Sequence, residues 1–248
     1  GYCIMVKKNF NGGQRRLKSS DLLIIIPAYN EEGSIQTVVD NIIQNYSQYD
    51  YVIINDGSRD RTSEICHNNG YNIIDLPVNL GLAGAFQTGL LYAYQQGYEK
   101  AVQFDADGQH LPEYIAALEE EIDKGNKMVI GSRFVTEKRP NSFRMLGNTL
   151  ISFAIKLTTG KTINDPTSGM RMFSKDLIQV FAKNINYGPE PDTVSYLLRK
   201  GVPISEVQVR MEERQAGESY LTFSRSIKYM IHMFVSILFI QNFRERGK

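Results

Sequence analysis

The chain has 248 residues, enough for one α/β domain or for one domain with an appendage. A hydrophobic share of 42% against 22% charged residues is that of an ordinary globular protein and excludes a disordered or fibrous chain. A net charge of +1 singles out no class of partner, and no nucleic acid is expected among them.

Residues 1–20 carry Lys7, Lys8, Arg15, Arg16 and Lys18 and no acid, and read as a basic tail. Leu22 to Ile26 is an unbroken apolar run, the pattern of a strand buried on both faces. Ile35, Val38, Val39, Ile42, Ile43 and Tyr46 follow at helical spacing, with Ser34 placed to cap that helix. Tyr51 to Ile54 is a second buried strand, closed by Asn55-Asp56-Gly57-Ser58. A polar helix is expected over Thr62 to Asn69, a strand over Tyr71 to Leu76 and a helix over Gly81 to Tyr94.

Ala101 to Phe104 is the fourth strand, and it runs into Asp105-Ala106-Asp107-Gly108-Gln109. Two carboxylates so placed, with a neutral oxygen from Gln109, can converge on one hard divalent cation. The plainer reading is a strand-to-helix loop in which an aspartate caps the helix that Pro112 begins. His110 is expected to be solvated, and His67 and His232 to be structural. A helix over Pro112 to Lys124 and a strand over Met128 to Ile130 complete this half.

Strands alternating with helices give an α/β fold with a mostly parallel, Rossmann-like sheet and helices on both faces. Ligands of such sheets bind beyond the carboxyl ends of the strands. That rule collects Pro27–Glu31, Asn55–Ser58 and Asp105–Gln109 on one rim.

The second half is less regular. A helix is expected over Ser142 to Thr159, a turn over Asn164–Gly169, a strand over Met170 to Phe173, a helix over Pro191 to Lys200 and a strand over Ile204 to Val209. The last element, Ser226 to Ile240, places Ile227, Met230, Ile231, Phe234, Val235 and Leu238 on one face. It is too short to cross a membrane; it can lie in a membrane surface, pack on its own domain or pack on a partner's helix. The chain therefore divides into a tail over 1–20, a domain over 21–223 and a C-terminal amphipathic segment over 224–248. Cys3 and Cys66 form neither a disulfide framework nor a metal spacing, which suits a reducing compartment.

The stretches IIIPAYNEE, VIINDGSRDRT, NLGLAGAFQTG, QFDADGQHLPE, GSRF and DPTSGMRMF, in this order, resemble family 2 glycosyltransferases of GT-A fold, most closely the polyprenyl-phosphate glycosyltransferases of the dolichyl-phosphate mannose synthase type. The resemblance implies that Pro27, Tyr29, Glu31 and Asp56 line the nucleotide, and that Asp105, Asp107 and Gln109 hold Mg²⁺ or Mn²⁺ and the diphosphate. It implies that Arg133 and Arg144 hold an acceptor phosphate, that Ser168 lies in the acceptor-side turn, and that Arg214 closes over the diphosphate. It further implies a UDP-sugar donor, an undecaprenyl phosphate acceptor, and a place at the cytoplasmic face of the cell membrane, on its surface or with a small membrane protein. A homo-oligomer is left open. Glu190 and Asp192 are the candidate bases should the acceptor be a sugar hydroxyl instead. Two departures stand out: the family's pair of acids is Asn55-Asp56 here, and Tyr220 replaces the lysine that usually follows G-E-S.

Overall fold

The computed structural model describes residues 18–140, 143–184, 188–213 and 223–239; the side chains of Phe143, Arg144 and 223–227 are outside that description. Strand β1, Leu22–Ala28, shows why a continuous apolar run is needed at the centre of a sheet. Leu23 and Ile25 enter one core, while Leu22, Ile24 and Ile26 enter a second core on the opposite face. The other strands are β2 (Asp50–Asn55), β3 (Ile73–Asp75), β4 (Lys100–Gln103), β5 (Met128–Ser132), β6 (Arg171–Ser174) and β7 (Ile204–Gln208). Among the described residues they form one sheet of order β3-β2-β1-β4-β6-β5-β7.

The helices are α1 (Ile35–Asn45), α2 (Thr62–Asn68), α3 (Gly81–Gln96), α4 (Ile115–Asp123), α5 (Phe143–Thr159), α6 (Lys175–Lys183), α7 (Pro191–Arg199) and α8 (Phe223–Leu238). Helices α1, α2 and α4 cover the core that holds Ile24, and α3 with α5 to α8 covers the other. Pro112 does not enter α4 directly; it opens a 3-10 turn, Pro112–Tyr114, that leads into the helix. Ser34 stands before α1 without capping it, because its hydroxyl donates to Glu31 Oε2 at 2.9 Å.

β1 pairs in parallel with β2 and β4, so the loops after all three strands leave from the same edge. β6 is the exception, antiparallel to both β4 and β5. The reversal matters for the site. An antiparallel strand begins where its neighbours end, so the turn Asn164–Gly169 before β6 opens onto the rim that the parallel strands point toward.

β6 also carries a charge into the sheet. Arg171 is fully buried, in register with Gln103 of β4 and Ile130 of β5. Its Nε donates to the Ser168 carbonyl at 2.9 Å, Nη2 to the Pro166 carbonyl at 2.7 Å and Nη1 to the Glu190 carbonyl at 3.5 Å. Burial pulls its pKa down, and Tyr229, Glu190, Asp165 and Asp192 oppose that. Arg171 thus ties the turn before β6 to the start of α7.

Helix α8 packs against α5 and α7. Met233, Ser236 and Ile237 of its described part are buried, and Met230, Phe234 and Leu238 of the expected face pack against the same core, while Ile231 and Val235 of that face stay exposed. Two polar contacts fix this rotation. Tyr229 Oη donates to Glu190 Oε2, and Ser236 Oγ donates to Asp192 Oδ2 at 2.9 Å. Gly147 of α5 allows the close approach: a Cβ there would sit 1.4 Å from Met230 Sδ.

An Arg171→Ala substitution strips three carbonyls of their donor inside the sheet and leaves the nearby carboxylates uncompensated. It is expected to cost about 3–5 kcal/mol, measured as a lowered urea midpoint with an unchanged slope.

Candidate active site

The loop after β1 turns sharply at Asn30, whose φ is +56°, and is stitched to the loop after β2. Asn30 N–H donates to Ser58 Oγ at 3.0 Å, Glu31 N–H to Thr62 Oγ1 at 2.9 Å and Glu32 N–H to Asp60 Oδ2 at 3.1 Å. Pro27, Tyr29 and Glu31 are half-buried along this seam. Asp56 N–H donates to the Ala28 carbonyl at 2.8 Å, and Asp56 Oδ1 accepts the Leu80 N–H at 2.7 Å. Burial pushes the Asp56 carboxyl above its ordinary range, and the Leu80 and Gly81 amides work against that. Gly57 has φ +66°, and a Cβ there would lie 2.8 Å from the Asn79 nitrogen, so glycine alone lets the loop before α3 close on this turn.

The departure at Asn55 has a structural reason. Its side chain points inward, not to the rim: Nδ2 donates to Asp75 Oδ1 at 2.6 Å and Oδ1 accepts the Ser58 N–H at 3.2 Å. Desolvation would raise the Asp75 carboxyl, but donors from Asn55, Ser63 and His67 outweigh it and hold that carboxyl below its ordinary range. A second acid at position 55 would face Asp75 directly.

Beyond β4 the two acids are not equivalent. Asp107 is buried, and its Oδ1 accepts the Gln109 N–H at 3.0 Å, closing the turn. The Asp105 carboxylate is a third exposed and stands at the rim. His110 is not solvated. Its ring is buried edge-on against Phe104, Nδ1 accepts the Asp105 N–H at 2.9 Å, and Nε2 lies 3.4 Å from Asp105 Oδ2. Nδ1 is therefore the acceptor nitrogen and Nε2 the one that carries the proton toward the carboxylate. Inside, the ring gives the Asp105 amide its acceptor. Gln109 is drawn to the segment after β7, with its carbonyl accepting the Glu212 N–H at 3.0 Å and its Nε2 3.4 Å from the Glu212 carbonyl.

The turn before β6 joins this acid to the basic side of the rim. A Cβ on Gly169 would lie 2.8 Å from Asp105 Oδ2 and 3.3 Å from His110 Cε1. Four residues earlier in the chain, Asp165 is fully buried and grips Arg133 at both oxygens: Nε to Oδ2 at 2.6 Å and Nη2 to Oδ1 at 2.8 Å. Asn148 of α5 donates to the same carboxylate at 3.0 Å, and Glu206 of β7 accepts the Asn164 and Asp165 N–H groups at 2.7 and 2.8 Å. Ser168 is buried, donating its hydroxyl to the Gly131 carbonyl at 2.5 Å, so it fastens the turn to β5 instead of facing outward.

One arginine was not singled out by the sequence. Arg139 donates to Thr149 Oγ1 at 3.2 Å, to Ser152 Oγ at 2.9 Å and to the Asn164 carbonyl. Its guanidinium lies 5.8 Å from the Phe134 ring centre and that of Arg133 lies 5.1 Å from it, so the two cations flank one ring. The Arg144 side chain and all of Arg214 lie outside the described residues, as do Tyr220 and the G-E-S stretch. Glu190 and Asp192 are engaged by Tyr229 and Ser236 of α8.

Among the described residues no three His, Cys, Asp or Glu side chains cluster as a metal cage. Two carboxylates and one amide oxygen, with further ligands from a diphosphate, are the donor set that Mg²⁺ or Mn²⁺ takes at nucleotide sites, and the residues present fit it.

Residues 23–181 match the family described as Glycosyl transferase family 2. The UDP-N-acetylglucosamine–dolichyl-phosphate N-acetylglucosaminyltransferase of Methanococcus voltae is 36% identical over 66% of this chain and 73% of its own length. The undecaprenyl-phosphate mannosyltransferase of Micrococcus luteus is 28% identical over 81% of this chain and 87% of its own. Among solved structures, glucosyl-3-phosphoglycerate synthase from Mycobacterium tuberculosis with Mn²⁺, UDP and phosphoglyceric acid superposes with a TM-score of 0.60 at 19% identity, over 94% of this chain and 81% of that one. That likeness bears on the fold, which is the expected GT-A arrangement.

An Asn55→Asp substitution places two carboxylates against each other and raises the folded-state pKa of one. The penalty is absent at low pH, where a shared proton remains, and grows as pH rises through that pKa. Stability relative to the parent chain is expected to fall by about 1–3 kcal/mol at pH 7 and by much less near pH 4, read from urea unfolding at both values.

Proposed function

This chain belongs to glycosyl transferase family 2 and is a glycosyltransferase, and from that premise we propose that it moves one sugar from a UDP-sugar to a polyprenyl phosphate, undecaprenyl phosphate in particular. The observation that carries this reading is the turn Asp165–Gly169. One end lies against Asp105 and the other grips Arg133, so an acid suited to a metal-bound diphosphate and the basic side of the rim share one five-residue turn.

In the proposed reaction an acceptor phosphate oxygen attacks the sugar C1 from the face opposite the nucleotide. The new C1–O bond forms as the bond to the diphosphate breaks, and the electron pair leaves with UDP. A lipid phosphate is already an anion at neutral pH, so no general base is required. That fits the engagement of Glu190 and Asp192 by α8. Pro27, Tyr29, Glu31 and Asp56 line the base and ribose. Asp105, Asp107 and Gln109 hold Mg²⁺ or Mn²⁺, which supplies charge neutralisation to the leaving diphosphate. Arg133, Arg139 and Arg144 draw in the acceptor phosphate, Ser168 holds their turn in place, and Arg214 covers the diphosphate. Such an enzyme works at the inner face of the cell membrane.

A panel of nucleotide sugars, offered with polyprenyl phosphate in detergent and Mn²⁺ or Mg²⁺, is expected to yield a lipid-linked monosaccharide and free UDP. Release of UDP with a saccharide acceptor alone contradicts the reading. Two variants refine it. Asp192→Asn keeps its turnover number if the acceptor is a phosphate, and loses it by about 10²-fold or more if that residue is a general base. Gly169→Ala displaces the Asp105 carboxylate; its Mn²⁺-dependent UDP affinity in calorimetry is expected to fall about tenfold or more, with the urea midpoint nearly unchanged.

A further inference from the structure

The amino ends of the strands, opposite the rim, hold a cavity that the proposed reaction does not use. It encloses about 270 Å³ between the start of β2, the last turns of α1 and α3 and the residue before β3. Tyr49, Tyr51, Tyr92 and Tyr98 line it with Ile42 and Ile43, and among its described lining residues Asp50 alone is charged. β2 runs about 17 Å from Asp50 to Asn55 at about 3.3 Å per residue, so this cavity and the nucleotide side of the rim lie at opposite ends of one strand.

Hydrogen bonds fix the deeper rings. Tyr98 is buried and its Oη donates to Asp50 Oδ2 at 3.0 Å. Tyr51 is buried and its Oη accepts the Asn72 N–H at 3.3 Å. Tyr49 and Tyr92 are half-buried. Asp50 Oδ2 also accepts the Ser19 and Ser20 N–H groups at 2.8 and 3.0 Å, and Oδ1 accepts the Ser19 hydroxyl. Burial works to raise the Asp50 carboxyl, but these donors outweigh it and hold the carboxyl below its ordinary range. The group is an anion at neutral pH, and all four donors are neutral. Lys18 shows which charge the rings accept. Its Nζ lies 5.5 Å from the Tyr98 ring centre while it donates to the Gly97 carbonyl and pairs with Asp21.

We infer that this cavity binds a small quaternary ammonium, of the choline class. A hollow lined by aromatic rings attracts a cation, and a carboxylate in the same wall adds to the attraction. Hydrogen bonding then selects among cations. Asp50 Oδ2 already accepts three donors, so the group offers a ligand its charge more readily than its lone pairs. A primary ammonium brings three N–H donors that each need an acceptor. A trimethylammonium brings the same charge with methyl groups, which pack on the rings and on Ile42 and Ile43. This site stands apart from the donor and acceptor readings above and depends on neither.

The test is calorimetric titration of the full chain with choline, and with its neutral carbon isostere in which a tert-butyl group replaces the trimethylammonium, at fixed ionic strength. Choline is expected to bind about tenfold or more tightly than the isostere. Tyr49→Leu and Tyr92→Leu are each expected to weaken choline about fivefold or more. Both variants are expected to keep the parent urea midpoint without choline, and choline raises that midpoint in the parent chain more than in either variant. Saturating UDP with Mn²⁺ is expected to leave the choline affinity unchanged, because the rim is at the other end of β2. Equal affinity for choline and the isostere overturns the assignment. So does choline binding that both variants leave intact, or a parent chain that choline does not stabilise. Choline displaced by UDP places the ammonium at the rim and overturns it as well.

Discussion

Asp165 is the point on which the rim depends. A fully buried carboxylate is costly unless its charge is met and its lone pairs are filled. Here the Arg133 fork meets the charge, and Asn148 adds a donor to the same group. Because the three groups come from the end of β5, from α5 and from the turn before β6, meeting the charge of one side chain positions three elements. Glu206 extends the same logic to β7 by accepting from the two amides that lead into the turn. Loss of the Asp165 charge would free Arg133 and leave the turn to Glu206, Arg171 and the Ser168 hydroxyl.

The same economy governs the centre of the sheet. Arg171 stands on β6, where an aliphatic residue would satisfy the packing, and spends its donors on carbonyls of the turn and of Glu190. The site therefore rests on backbone held by buried charges on both sides of β6, with no long flexible side chain setting its shape. Loops fixed this way are ordered before a ligand arrives, and less binding free energy is lost in ordering them.

The elements most legible in the sequence are those whose burial is simplest. β1 and β2 are apolar on both faces because both faces are covered, and no other pattern of Leu and Ile gives that reading. The direction of β6 was not legible, since a four-residue strand has the same side-chain alternation either way round, and the reversal comes from which neighbours it pairs with. Helix α6 is not legible in the sequence: KDLIQVFAK is only nine residues long, and its identity rests on Leu177, Ile178 and Phe181 meeting the core. The expected face of α8 is only partly the buried one: Met230, Phe234 and Leu238 pack on the core, and Ile231 and Val235 do not. Hydrophobicity alone does not choose between its apolar residues; the choice falls to Tyr229 and Ser236, which reach the carboxylates of Glu190, at the N-cap of α7, and Asp192, in its first turn. The burial of His110 and the contacts of Arg139 are not legible, because a lone histidine in a loop and one basic residue in a charged run carry no spacing signal. Their roles come from neighbours distant in the chain.

The electrostatics of the basic side divide the work between two arginines. Arg133 is neutralised where it stands, because both oxygens of Asp165 lie on its fork, and the pair presents little net charge to an approaching anion. The described partners of Arg139 are two hydroxyls and a carbonyl, which orient the guanidinium without cancelling its charge. Of these two arginines, Arg139 is therefore the one whose charge reaches furthest toward an anion. Both guanidinium groups lie within 6 Å of the Phe134 ring centre, at 5.1 and 5.8 Å. Arg139 is anchored to α5, and the acids beyond β4 lie on the other side of the turn that Asp165 holds in place.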